Sequence, residues 1–451
     1  MIRRAPILAA AALLATVVAA APAAAATGVS PAREFAPGRV VVKLRGQRGG
    51  RTVDLPAGVG VRQAARALRR SPRVAYAAPD YIAKASSAKS ARLLDAGIPN
   101  DPGPLSAPAG PPAGWVSLQW NFLPWQGTAT PSLPVSPGGI DAVAAWQHLA
   151  AARRRGAGGI TVAVLDTGIA YRDDGRHFRR SPDFASGQFV KGYDFVEHDS
   201  VPLDENGHGT HVAGTIAEKT DNGVGLTGLA FRAKLMPVRV LDRNGSGQAG
   251  DIAQGIHFAV AHGADVINMS FNFGCGKKVP GIDEELRNAY RHGVVTVASI
   301  GNLGSEACVS PPATDPHVIG VGGTTEGGCL GSYSLLPGPG VDLLAPGGGA
   351  PVAGCPSVSS RSIYQVTLKG GNPRRFGEPG SYIGTSMAAA HVSGVAAMVL
   401  ASGVLAKNLS PEGRVNAALR RLRNTARDLG LPPARQGAGL IDAGRATERS
   451  P

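Results

Sequence analysis

The chain has 451 residues, enough for two to four domains or one large core with accessories. Apolar residues at 43% and charged residues at 17% exclude wholesale disorder, and 62 glycines without a Gly-X-Y period exclude collagen. The net charge of +14 is uneven: residues 1–115 hold 16 Lys/Arg against 5 Asp/Glu, whereas residues 116–451 hold 30 against 27, which argues against a nucleic-acid surface on the larger part.

The N-terminus reads MIRRAPILAAAALLATVVAAAPAAAATG. Arg3 and Arg4 precede an apolar run, and small residues follow. This layout predicts a secretory signal peptide over 1–26, cut near Ala24 or Ala26. The run is long enough to span a bilayer if uncut, but its alanines and repeated A-x-A sites favour cleavage. No second apolar run approaches 18 residues, so no stable membrane anchor is expected. Residues 38–84 read as a small α+β unit. In GRVVVKLR, Val40, Val42 and Leu44 share one face of a strand. Residues 61–70 read as a helix and RVAYA (73–77) as a second strand. Residues 85–115, rich in Ala, Ser, Pro and Gly, read as a linker open to proteolysis.

From about residue 140 strands alternate with helices. Apolar strands are predicted at 160–166, 234–242, 264–270 and 294–299, and helices at 208–218, 251–263 and 284–293. Such alternation gives an α/β fold, a mainly parallel sheet with helices on both faces. Gly263 and Gly293 sit where helices should end. In such sheets the active site lies beyond the carboxyl ends of the strands. Four cysteines, Cys275, Cys308, Cys329 and Cys355, have no C-x-x-C pair to suggest zinc. An even count in an exported chain implies two disulfides, and pairing of sequence neighbours, 275–308 and 329–355, is expected. Four reduced, buried thiols are the alternative.

Three segments carry the chemistry. Asp166 ends a strand in VAVLDTGI; His208 opens a helix in NGHGTHVAGT; Ser386 opens another in GTSMAAAHVSG. Singly, each reads as a cap or a surface residue. Together they supply a weak hydroxyl nucleophile, a base of suitable pKa and a carboxylate to orient it.

On these motifs, and in this order, the chain resembles the subtilases, the subtilisin-like serine peptidases. The resemblance implies a secreted endopeptidase working through an acyl-enzyme, with Asp166, His208 and Ser386 as its triad. It implies a catalytic domain over 116–446 and a ferredoxin-like propeptide over 38–84 that helps folding and blocks the cleft. In VVTVASIGN, Asn302 corresponds to the oxyanion-hole amide, with Gly301 beside it. Gly245, Ser246 and Gly247 match one wall of the substrate cleft; Ser270, Phe271 and Asn272 match the other. Phe271 and Asn272 depart from the usual Leu-Gly, Ala390 from a proline and Ile300 from an alanine, which bears on substrate preference. The implied partners are protein substrates and the chain's own propeptide; the expected state is a monomer, with no cofactor in the chemistry. Structural calcium is implied at two sites: one from Asp194, Glu197 and Asp199, with Asp204 nearby, the other from Asp101, Asp183 and Asn222.

Two competing motifs are weaker. GSGQAG (245–250) fits G-x-G-x-x-G, but no acid ends the next strand as a dinucleotide site requires. His208 and His211 form H-x-x-H, with glycine where a zinc peptidase needs glutamate.

Overall fold

Val40 and Val42, two apart, turn to one face of strand β1 (Phe35–Leu44) and meet Val61, Ala65 and Leu68 of helix α1 (Val61–Arg69). Strand β1 pairs antiparallel with β2 (Arg51–Asp54) and with β3 (Val74–Ala85), closing a small core of its own. β2 is too short and too exposed to leave a periodic signal. β3 runs well past the predicted 73–77, because its far end pairs outside the unit. The computed structural model describes residues 34–47, 49–85, 114–126, 133–154, 156–220, 224–302, 308–334 and 340–449. The expected leader over 1–26 and most of the expected linker lie outside them.

The larger core is a seven-stranded parallel sheet. Its strands are β4 (Thr161–Asp166), β5 (Tyr193–Asp194), β6 (Lys234–Arg239), β8 (Val266–Met269), β10 (Val295–Ser299), β11 (Val318–Thr324) and β12 (Leu343–Pro346), in the order β12-β11-β10-β8-β4-β6-β5. Short segments β7 (Ser246–Gln248) and β9 (Phe271–Asn272) lie off this sheet and pair with β3. Helices α2 (Ala142–Ala151), α3 (His208–Ala217), α4 (Ala249–Ala261), α5 (Pro280–Arg291), α6 (Thr385–Ser402) and α7 (Pro411–Thr425) pack around the sheet. Gly263 and Gly293 follow α4 and α5 in the left-handed region, as their positions predicted.

Helix α6 corrects one expectation. Its 18 residues are apolar enough to cross a membrane, yet 94% of that span is buried within the protein. A helix apolar all round belongs inside a core, and interspersed Ala, Ser and Gly hid its length in the sequence. The two expected disulfides, Cys275–Cys308 and Cys329–Cys355, are both formed.

Strands β10, β8 and β4 are adjacent and parallel. Their carboxyl ends therefore lie along one edge. They lead into Asn302, Ser270 and Asp166, which are distant in sequence and delivered to one side of the sheet.

Candidate active site

Asp166 closes β4, and its Oδ1 accepts from the Thr167 amide and from His208 Nδ1, each at 2.7 Å. A methyl group on Gly209 would sit 2.1 Å from the Gly168 carbonyl oxygen. Only glycine lets the start of α3 approach the strand end this closely. Asp204 caps the same turn. Its Oδ1 accepts from the Asn206 and Gly207 amides at 2.9 Å, and its Oδ2 from the Thr210 amide at 2.9 Å and hydroxyl at 2.6 Å. Thr167 Oγ1 donates to Asp204 Oδ1 and accepts from the Gly209 amide, tying the two loops together. The sequence signal for Asp204 as a cap was its place four residues before the helix. It was overshadowed there by neighbouring carboxylates.

His208 is fully buried, which by itself favours the neutral ring. The charge and hydrogen bond of Asp166, with the charge of Asp204, outweigh burial and hold its pKa above the ordinary imidazole value. Among the described residues His208 Nε2 has no hydrogen-bond partner.

Ser386 stands at the start of α6, which packs against α3. Its Oγ donates to the Ser270 carbonyl at 3.0 Å, so its proton is directed there and not to the His208 imidazole. Asn302 Oδ1 accepts from both the Thr385 amide and the Thr385 hydroxyl at 2.9 Å. That fixes the amide plane and leaves Nδ2 buried without a hydrogen-bond partner among the described residues, against the residue that precedes Ser386. Thr385 Oγ1 also reaches the Gly301 carbonyl at 3.2 Å.

The two segments expected to wall the substrate cleft are bridged by a strand of the chain itself. β3 pairs antiparallel with β7, Ala83 opposite Gly247 and Lys84 opposite Ser246, and with β9, Lys84 opposite Asn272 and Ala85 opposite Phe271. Gly245, in the left-handed region, turns the chain into β7. The Phe271 ring is fully buried and packs edge-on to Phe273, so only its backbone faces the strand. Asn272 Oδ1 accepts from the Gly274 amide at 3.3 Å.

The acidic stretch 194–199 does not fit a cation in this arrangement. Asp194 Oδ2 meets the Arg239 guanidinium at 2.8 Å, and its Oδ1 accepts from the Val196 and Glu197 amides. Asp199 Oδ1 accepts from the Val201 amide. A calcium ion there would face a fixed positive charge. Of the second set, Asp101 and Asn222 lie outside the described residues. Asp183 is buried beside Glu218, whose pKa is pushed well up by burial and then by Asp183. Among the described residues no group of three His, Cys, Asp or Glu side chains is placed to hold a metal ion.

His211 is no zinc partner for His208. It is buried, donates from Nε2 to the Ile363 carbonyl, and burial pushes its pKa down to about 3. The glycine-rich 245–250 stretch holds β3 of the N-terminal unit: the Gly250 amide, in the first turn of α4, donates to Asp80 Oδ1 at 2.9 Å.

A parallel sheet that brings a carboxylate–imidazole pair, a helix-start serine and an orphan amide donor to one edge defines a serine hydrolase scaffold. The subtilase family matches residues 157–439. A thermophilic serine proteinase of a Bacillus species is 32% identical over 338 residues, covering 75% of this chain and 66% of that protein. Thermitase of Thermoactinomyces vulgaris is 36% identical over 56% of this chain and 78% of its own. Subtilisin Savinase of Lederbergia lenta is 35% identical over 66% of this chain and 94% of its own. Among solved structures, a protease from Pseudoalteromonas arctica superposes with a TM-score of 0.57 at 29% identity, covering 69% of this chain and 94% of that one. The chain belongs to the subtilase family, and with it to the serine endopeptidases.

Proposed function

We propose that this is an exported endopeptidase whose Ser386 attacks the scissile carbonyl, with His208 as base and Asp166 as its orienting carboxylate. In this reading Asn302 Nδ2 and the Ser386 amide receive the oxyanion, and residues 34–85 are an inhibitory propeptide. One observation carries it: a strand of the chain's own N-terminal unit lies antiparallel between the two cleft walls, one residue short of Ser270, whose carbonyl touches Ser386. An extended peptide held by main-chain hydrogen bonds is how such a cleft binds substrate. The basic N-terminal unit fits the role, since Lys43 pairs with Glu284 at the start of α5. Export is supported by the leader-like sequence and by a relative from Xanthomonas campestris named an extracellular protease. The test is labelling of Ser386 by a fluorophosphonate, with the N-terminal sequence and mass of the secreted material. A catalytically dead peptide-binding protein would leave the label unincorporated.

The raised pKa of His208 sets the sign of the pH profile. The base works only when neutral, so activity is lost as pH falls through the folded-state pKa. The acid limb of kcat/KM is therefore expected to have its midpoint above about 6.5. A midpoint below pH 6 in the mature enzyme contradicts the Asp166–His208 coupling.

Propeptide retention should also depend on pH. Asp80 of β3 and Asp251 of α4 are both buried at the junction. Arg39 and Asp54 also face Asp80, and Arg39 and His198 face Asp251. Burial, then the charge of Asp80, raises Asp251 to about 6, and burial raises Asp80 too. Docking is thus favoured by protonation: retention is strongest near pH 4 and weakens as pH rises to about 6. Asp251→Asn should flatten this dependence. Release rates of cleaved propeptide that do not vary with pH in the wild type would remove the idea.

A further inference from the structure

The helix carrying Ser386 and the strand leading to Ser270 meet through polar groups that the triad does not require. Ser386 and Ser393 are seven apart on α6, two helical turns along one face. Asn268 and Ser270 are two apart at the end of β8, on one face of the strand. All four residues are 0% exposed, among Val266, Ile267, Val392 and Val395 of the core. Buried polar groups in such surroundings are costly unless paired, and these are paired in series. Ser393 Oγ donates to Asn268 Oδ1, Asn268 Nδ2 donates to Ser270 Oγ, and Ser270 Oγ donates to the Ser386 carbonyl, each at 2.9 Å.

The direction of this series turns on one amide. A hydroxyl has a single proton to donate. With Asn268 presenting Nδ2, Ser270 spends its proton on the Ser386 carbonyl. With the amide reversed, Asn268 would present Oδ1, Ser270 would donate to it, and the hold on Ser386 would be lost. Ser393 selects the first arrangement by donating to Oδ1. Ser270 then grips Ser386 twice, through its hydroxyl to the carbonyl and through its carbonyl to Oγ at 3.0 Å.

Building on the reading of Ser386 as nucleophile, we propose that Ser393 is a positioning residue for catalysis. Through Asn268 and Ser270 it fixes the peptide unit that sets both the Ser386 hydroxyl and the Ser386 amide. Neither Ser393 nor Asn268 lines the cleft, so their effect falls on turnover and not on substrate binding.

The experiment compares mature wild type with Ser393→Ala, Ser393→Thr, Ser270→Ala and the Ser270→Ala/Ser393→Ala double variant, reading kcat, KM and thermal inactivation. Ser393→Ala is expected to lower kcat about tenfold, the loss of roughly one hydrogen bond's worth of positioning, with KM within twofold. Ser393→Thr keeps the hydroxyl and should retain most of kcat. The double variant should be no slower than Ser270→Ala alone, because both act through one series. Where alanine fails to mature, Ser393→Cys, similar in size but a weak donor, should lose most of the same kcat. Unchanged kcat in Ser393→Ala, equal losses in the threonine and alanine variants, or additive losses in the double variant would each overturn the relay. A wild type that neither hydrolyses casein nor takes up fluorophosphonate would overturn the nucleophile reading and the relay with it.

Discussion

Ser386→Ala is expected to abolish hydrolysis and to leave the secreted chain uncut between its N-terminal unit and the rest. In the proposed mechanism the Ser386 oxygen bonds to the scissile carbonyl, and Ser270 Oγ does not replace it, being committed to the Ser386 carbonyl. Turnover should fall by roughly a million-fold, the scale for loss of the nucleophile in subtilisin, itself a member of this family. The fold should survive, because alanine keeps the helix start, and the loss of the Oγ hydrogen bond to the Ser270 carbonyl costs about 1 kcal/mol. Two readouts check this together: casein hydrolysis, and the mass of the secreted product. A Ser386→Ala chain that trims itself to the mature size in pure form, or digests casein at the wild-type rate, would falsify the assignment.

Asn302→Ala should be the next most damaging change. The two contacts from Thr385 hold the Asn302 carbonyl and leave Nδ2 buried with no partner among the described residues. A buried donor without a partner is costly and is explained if its partner appears only during reaction. An interaction made only in the transition state lowers kcat when removed and leaves KM nearly unchanged. The expected loss is roughly 100- to 1,000-fold in kcat, a magnitude known from subtilisin and not obtained from this chain. Asn302→Asp tests the donor separately from the packing, since it keeps the shape and the acceptor but places a charge where the oxyanion would form. Losses below fivefold in both variants would mean that Nδ2 does not face the reaction.

The strand–helix alternation after residue 140 and the three motifs were legible in the sequence because both are local. A buried parallel strand reads as an apolar run, and a helix start next to a strand end needs glycine. Gly263 and Gly293 end helices in the structure as their positions implied, and Gly209 is where the structure shows a helix start pressed against a strand end. The disulfide pairing was legible for a similar reason, since few pairings exist and neighbours meet most easily.

The rest was decided by contacts between distant segments. The adjacency of β10, β8 and β4 brings Asn302, Ser270 and Asp166 to one edge, and no local pattern encodes strand order. Asp194 looked like a cation ligand from its neighbours in sequence, but Arg239, 45 residues on, claims it. Asp80 carried no signal in the sequence, yet it caps a helix 170 residues away. Ser393 carried no signal, because its purpose depends on Asn268, 125 residues earlier on another element. Residue types and their periodicity thus determined which elements form and which chemistry is available. Only packing decided which polar group each buried donor meets, because a hydrogen bond is satisfied by proximity in space, which chain order does not reveal.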